Sequence, residues 1–120
     1  MKLAIVGSRT FDDFEYLSDV ISRIKSVTEI VSGGADGTDS LAEKYAKKNL
    51  IPTKIFLPKF KTDSTIAYHP KWFFARNEEI VNHSDYVLVF WDGRSSGTKH
   101  VMEYARRKHK LIKVIYFKKE

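Results

Sequence analysis

Val31-Ser32-Gly33-Gly34-Ala35-Asp36-Gly37-Thr38-Asp39 runs from a short apolar strand into the first turn of a helix, with three glycines and only small residues between them. Glycines let a chain turn sharply and let a ligand approach its N–H groups. A helix start adds unpaired N–H donors and a partial positive charge, which together favour phosphate or carboxylate. Two further segments have the same character. Trp91-Asp92-Gly93-Arg94-Ser95-Ser96-Gly97-Thr98 lies late in the chain, and the shorter Gly7-Ser8-Arg9-Thr10 lies near its start. All three read as strand-to-loop-to-helix junctions.

Outward from these junctions the apolar pattern alternates between strand and helix. Leu3 to Val6 is a continuous apolar run ending at Gly7, the signature of a strand covered on both faces. Phe14, Leu17, Val20, Ile21 and Ile24 recur at helical spacing, which predicts a helix from about Phe14 to Val27. Ile30-Val31 forms the second strand, and Thr38 or Asp39 opens a helix with Leu41, Ala42, Tyr45 and Ala46 inward. Pro52 stops that helix, and Lys54 to Leu57 is a third strand. Pro58 to His69 has no clear period and reads as a long surface connection, a length common in lids and binding loops. Pro70 suits the start of a helix to about His83, followed by a strand Tyr86–Trp91, a helix Thr98–His109 with Val101, Met102 and Ala105 inward, and a last strand Leu111–Phe117. This succession predicts an α/β fold: one domain over residues 1–120, a Rossmann-like doubly wound parallel sheet of about five strands with helices on both faces. In the order 3-2-1-4-5 the three glycine loops would lie side by side at the carboxyl edge, where winding reverses and ligands bind.

Composition bounds the partners. The 120 residues are 42% hydrophobic and 30% charged, as in an ordinary globular domain. No apolar run reaches membrane-spanning length and the chain enters its first strand at once, so neither a membrane span nor a secretory leader is expected. Cysteine is absent, which removes disulfides and thiolate metal sites and fits a cytoplasmic protein. The net charge of +6 suits an anionic partner, but much of it sits in Lys47-Lys48, Arg106 to Lys110 and the Lys118-Lys119 tail, where solvated helix faces explain it equally well. Neither a P-loop nor a G-x-G-x-x-G fingerprint is present. His69, His83, His100 and His109 make no metal-ligand spacing, so no metal is expected.

Outside the loops, Arg76-Asn77 is the most informative pair. On their helix Trp72, Arg76 and Ile80 share one stripe and Phe73, Asn77 and Val81 the next, so two polar residues interrupt an inward face. A buried guanidinium needs a partner. Either Arg76 makes an internal pair with Asp39 or Asp92, or it reaches a pocket mouth to hold a phosphate. Arg9 directly follows a strand, where its planar fork suits phosphate. Thr38 and Thr98 follow glycines at helix starts, where capping and anion binding would use the same N–H groups. Asp36, Asp39 and Asp92 suit ribose hydroxyls or the pinning of an arginine. Trp91 and Tyr68 either stack on a base or belong to the core.

Four segments in register, Gly7-Ser8-Arg9-x-Phe11, Ser32-Gly33-Gly34-Ala35-x-Gly37-x-Asp39, Arg76-Asn77 and Phe90-Trp91-Asp92-Gly93-x-Ser95-x-Gly97-Thr98, resemble the YspA type of the cpYpsA-related SLOG family. The resemblance spans nearly the whole chain. It implies a Rossmann-like domain that binds nucleotides or nucleotide-derived molecules, often as a sensor in bacterial and phage conflict systems, with LOG-type phosphoribohydrolases and the DNA-processing protein DprA as relatives. Candidate ligand-binding residues are therefore Gly7, Ser8 and Arg9; Ser32, Gly33, Gly34, Ala35, Gly37, Thr38 and Asp39; Arg76 and Asn77; and Asp92, Gly93, Ser95, Gly97 and Thr98. The chain departs from the LOG signature P-G-G-x-G-T-x-x-E, because Val101 stands where the glutamate belongs and Glu103 is about 200° further round the helix. Glycoside cleavage needs a placed carboxylate, for which Asp39, Asp92 or Asp36 would have to serve. Binding without catalysis is thus the leading expectation: a phosphorylated nucleotide derivative, ADP-ribose-like or cyclic, held by a sensor or sequestering module with no required cofactor, in the cytoplasm of a bacterium or phage-infected bacterium. The alternatives are a nucleotide N-glycoside hydrolase using Asp39 or Asp92, and a nucleic-acid binder of DprA type. The sequence leaves homo-oligomerisation open.

Overall fold

The computed structural model describes residues 1–118; Lys119 and Glu120, the end of the charged tail, lie outside the described residues. The elements in order are β1 (Lys2–Gly7), α1 (Phe14–Ser22), β2 (Glu29–Ser32), α2 (Thr38–Lys48), β3 (Thr53–Ile55), α3 (Lys59–Thr62), α4 (Lys71–His83), β4 (Tyr86–Trp91), α5 (Ser96–Arg107) and β5 (Leu111–Tyr116). The strands form one sheet in the order β3-β2-β1-β4-β5, and every neighbouring pair is parallel. The expected α/β architecture and strand order are both present.

Alternation along the central strands builds two cores. Leu3 and Ile5 of β1 and Leu88 and Phe90 of β4 face the layer made by α1 and α2, where Leu17, Ile21, Ala42 and Ala46 cover them. Ala4, Val6, Val87 and Val89 face the opposite layer, made by α4 and α5, against Ile80, Val81, Val101 and Ala105. Both faces are therefore buried, which is why these strands read as unbroken apolar runs. β3 is a short exposed edge strand. Winding runs from β1 to β3 on one side and from β4 to β5 on the other, so the switch lies between the carboxyl ends of β1 and β4, where Gly7 pairs with Phe90.

Several boundaries differ from the sequence expectation. The first helix is capped by Asp13, whose side chain accepts from the Tyr16 N–H at 3.0 Å, but it ends at Ser22 rather than near Val27. Ile24 and Val27 still pack against the core from a non-helical turn, with Ser26 in the left-handed region at φ 63°. Apolar spacing therefore continued past the backbone helix that produced it. The third strand occupies Thr53–Ile55 instead of Lys54–Leu57, since its pairing with Ile30 to Ser32 ends there. The last helix and strand stop at Arg107 and Tyr116. Within the long connection after Pro58 sits the one-turn helix α3. Leu41 is half-buried, whereas Ala42, Tyr45 and Ala46 are buried as expected. No helix among the described residues is long and apolar enough to cross a membrane.

Candidate functional site

A cavity of about 370 Å³ opens at the carboxyl edge of the sheet, beside the switch point. Residues 7–10 after β1, Ala35 and Asp39 from the β2–α2 junction, and Ser95 to Thr98 at the start of α5 all line it, together with Phe73, Arg76 and Asn77 of α4. Val6, Ile80 and Val101 supply apolar wall. The three junctions meet as the topology requires.

Ser8 ties them together. Its N–H donates to the Phe90 carbonyl at 2.9 Å, and its own carbonyl accepts from both the N–H (3.3 Å) and the hydroxyl (2.9 Å) of Thr38. Its hydroxyl accepts from the Asp92 N–H at 3.1 Å and lies 2.9 Å from the Ser95 hydroxyl. Ser8 and Thr38 are both buried, so these bonds form away from competing water. Gly37 permits the approach: its backbone, at φ 72°, passes against that of Arg9.

The two glycine-rich helix starts differ in which amides they leave free. At α2 the loop takes up three of its own donors. The Gly34 N–H donates to the Ser32 hydroxyl (3.3 Å), the Ala35 N–H to Asp39 Oδ2 (3.2 Å) and the Thr38 N–H to Ser8. The Ser32 hydroxyl in turn donates to Glu43 at 3.1 Å. The Asp39 carboxylate thus takes up the Ala35 N–H that a bound anion could otherwise use. At α5, Asp92 accepts from the flanking Arg94 (2.8 Å) and Ser95 (2.9 Å) N–H groups and from the Ser95 hydroxyl (3.1 and 3.2 Å). Ser95 gives no side-chain cap to the first turn, so Ser96, Gly97 and Thr98 bring amides without intrahelical acceptors to the cavity wall.

Arg76 spans the site from α4. It is 8% exposed and donates through Nη1 to the Gly33 carbonyl at 2.5 Å and through Nε to Asn77 Oδ1 at 3.0 Å. Asn77 Nδ2 reaches the Gly97 carbonyl at 3.5 Å, a long contact across to α5. Burial pushes the Arg76 pKa down, Asp39 opposes that fall, and the nearby guanidinium of Arg9 adds to it. Burial likewise raises Asp39 from 3.8 to about 6, against the lowering effects of the Ala35 N–H and of Arg76. Of the two partners that the sequence offered Arg76, Asp39 is the one whose charge it meets. The Phe73 ring meets both arginines, 5.9 Å from the Arg9 guanidinium and 5.7 Å from that of Arg76.

Seven of the sequence candidates stand behind or beside the cavity rather than on its wall. Ser32, Gly33 and Thr38 are buried supports. Gly34 and Gly37 shape the second loop at φ 70° and 72°. Gly93 turns the third loop, and Asp92 caps it. Burial raises the Asp92 carboxyl, but donors from Ser95, Arg94 and Ser8 outweigh that and hold it below the ordinary range. Thr10, Phe73 and Ser96 line the cavity without having been singled out. Phe73 carried one signal, since it shares a helical stripe with Asn77. His100 is half-buried on α5 near Phe74 and Glu78, off the cavity wall, with its pKa lowered chiefly by burial. Among the described residues no cluster of His, Asp and Glu is arranged to hold a metal.

Residues 1–62 match the family model described as YspA, cpYpsA-related SLOG family. The Gene 61 protein of Mycobacterium phage D29 is 30% identical over 111 residues, covering 88% of this chain and 89% of that protein. The crystal structure of DNA processing protein A (DprA) from Streptococcus pneumoniae superposes with a TM-score of 0.80 at 23% identity. That match covers 97% of this chain but 50% of the DprA chain, and at such identity it speaks for the fold. The family-model match, covering just over half of a chain whose three glycine junctions converge on one cleft, establishes that the protein belongs to the YspA-type, cpYpsA-related SLOG family.

Proposed function

We propose that the cleft binds a phosphorylated nucleotide derivative, ADP-ribose-like or cyclic, and that the protein is a sensor or sequestering module in a bacterial or phage conflict system. The observation that carries this reading is the convergence of Arg9, Arg76 and the uncapped start of α5 on one cavity of about 370 Å³, within the size range of small-molecule sites. The Arg9 guanidinium disfavours the charge on Arg76, a repulsion that a bound anion would relieve. The α5 amides offer it hydrogen bonds and a favourable dipole. Family membership supports a nucleotide-related ligand, and the mycobacteriophage relative fits a phage setting.

Native mass spectrometry of the purified protein should detect a copurified nucleotide, and added ADP-ribose should raise its melting temperature saturably. Arg9 is exposed, so Arg9→Ala is expected to leave the fold intact. It should weaken ADP-ribose binding about 10- to 100-fold, the scale of a lost charge-assisted hydrogen bond. Unchanged affinity in that variant would remove Arg9 from the site. No nucleotide response at all, with single-stranded oligonucleotide binding that falls steeply with salt, would favour nucleic acid instead.

One observation favours a second reading, nucleotide N-glycoside hydrolysis. Asp39 lines the cavity and has its pKa raised to about 6, a value suited to proton transfer near neutral pH. Val101 on the same wall offers no carboxylate. Release of free base from nucleoside monophosphates or NAD, seen by chromatography and lost in Asp39→Asn, would establish it; unchanged substrate would leave binding alone.

A further inference from the structure

The connection after Pro58 builds an aromatic surface that no part of the anion site requires. Phe60, Tyr68 and Phe73 pack edge to face in a triangle, with centroids 5.0 Å apart for Phe60–Tyr68, 5.4 Å for Phe60–Phe73 and 6.2 Å for Tyr68–Phe73. The Trp72 indole N–H donates to the Ala67 carbonyl at 3.2 Å and fixes the returning chain against α4. Phe73 is shared: it belongs to the triangle and also lines the cavity, where Arg9 and Arg76 approach its ring. Tyr68 continues the same surface outward and is 64% exposed, although its partner rings are half-buried. An aromatic held this way and left uncovered offers an immobilised π-face at low entropic cost.

The start of α5 offers amides and hydroxyls at one end of the cavity, and Phe73, with the guanidiniums of Arg9 and Arg76 against its ring, lines another side. A ligand gripped by phosphate at the first end extends its other half towards the second. Resting on the nucleotide reading above, we infer that Tyr68, backed by Phe60 and Phe73, is the platform on which the ligand's nucleobase stacks, so that the 58–69 connection separates base-bearing from base-free phosphates.

The test is calorimetric titration of the full chain with ADP-ribose and with ribose 5-phosphate, which lacks a base. Tyr68→Ala should weaken ADP-ribose binding about tenfold, within the range measured for base–aromatic stacking, and leave ribose 5-phosphate affinity unchanged. Tyr68→Trp should restore or tighten ADP-ribose binding, which a merely lost contact or a loosened connection would not do. Equal losses for both probes, or no loss for either, would overturn the platform while leaving the phosphate site standing. Binding of neither probe by the unmodified protein would remove the nucleotide reading and this inference together.

Discussion

Gly37→Ala is expected to cost about 3–5 kcal/mol of unfolding free energy, a large share of the total for a domain of this size. Two penalties combine. Gly37 caps α2 at φ 72° and ψ −123°, a conformation essentially closed to residues with a side chain. A Cβ there would also fall on the Arg9 backbone, 2.6 Å from its Cα and nearer still to its carbonyl. Backbone cannot step aside as a flexible side chain can, so the loops must part. That would break the pair of bonds from Thr38 to the Ser8 carbonyl and displace Arg9 from the cavity wall. Two other glycines calibrate the effect. Gly93 has φ 83° but open space around it, so Gly93→Ala should cost only about 1 kcal/mol from backbone strain. Gly97 has open space and no positive φ, so Gly97→Ala should stay within about 0.5 kcal/mol of the parent or stabilise it slightly. Urea unfolding of the three variants tests the ranking. A Gly37→Ala cost no larger than that of Gly93→Ala would show that the two loops are not locked together.

The same close approach separates what was legible in the sequence from what was not. Contiguous apolar runs at Leu3–Val6 and Tyr86–Trp91 announced strands buried on both faces, and alternation with helices led to the strand order. The meeting of three loops then followed from topology alone. The fate of individual donors did not. Asp39 and Asp92 look alike in sequence, each a few residues from a glycine at a helix start. One turns inward beneath Gly33 and meets Arg76; the other caps its own loop. That difference depends on how far Arg76 reaches from a helix 43 residues away from Gly33. The aromatic triangle was hidden for a related reason: Phe60 and Tyr68 have no period of their own, and Phe73, on a separate element, organises them. Conversely, the apolar spacing that carried the first helix towards Val27 was real as burial and misleading as helix, because a turn satisfies it equally well.

Arg76→Ala is the second substitution expected to be severe, at about 3–5 kcal/mol. It leaves the buried Gly33 carbonyl and Asn77 Oδ1 without their donors and leaves Asp39 without a facing cation. If the charge of Asp39 is a main part of that cost, Arg76→Ala should cost about 1–2 kcal/mol less in an Asp39→Asn background, a coupling typical of residues in one network. Additive costs would show that Arg76 acts through its hydrogen bonds alone. The pH dependence gives an independent reading with a defined sign. Asp39 has a folded-state value of about 6 against 3.8 in the free group, so between those values the folded protein holds a proton that the unfolded chain has released. Its contribution to stability is then greatest below pH 3.8 and is lost as pH rises through about 6, on the order of 3 kcal/mol in all. Asp92, with its value lowered, contributes the opposite slope below pH 3.8, and His100, lowered from 6.5, loses stability as pH falls below that value. The difference between the parent and Asp39→Asn, measured by urea unfolding from pH 4 to 7, cancels these and isolates Asp39. Because Arg76 holds the Asp39 value down, Arg76→Ala must shift that difference curve to higher pH. A curve that stays in place would mean that the two charges do not interact.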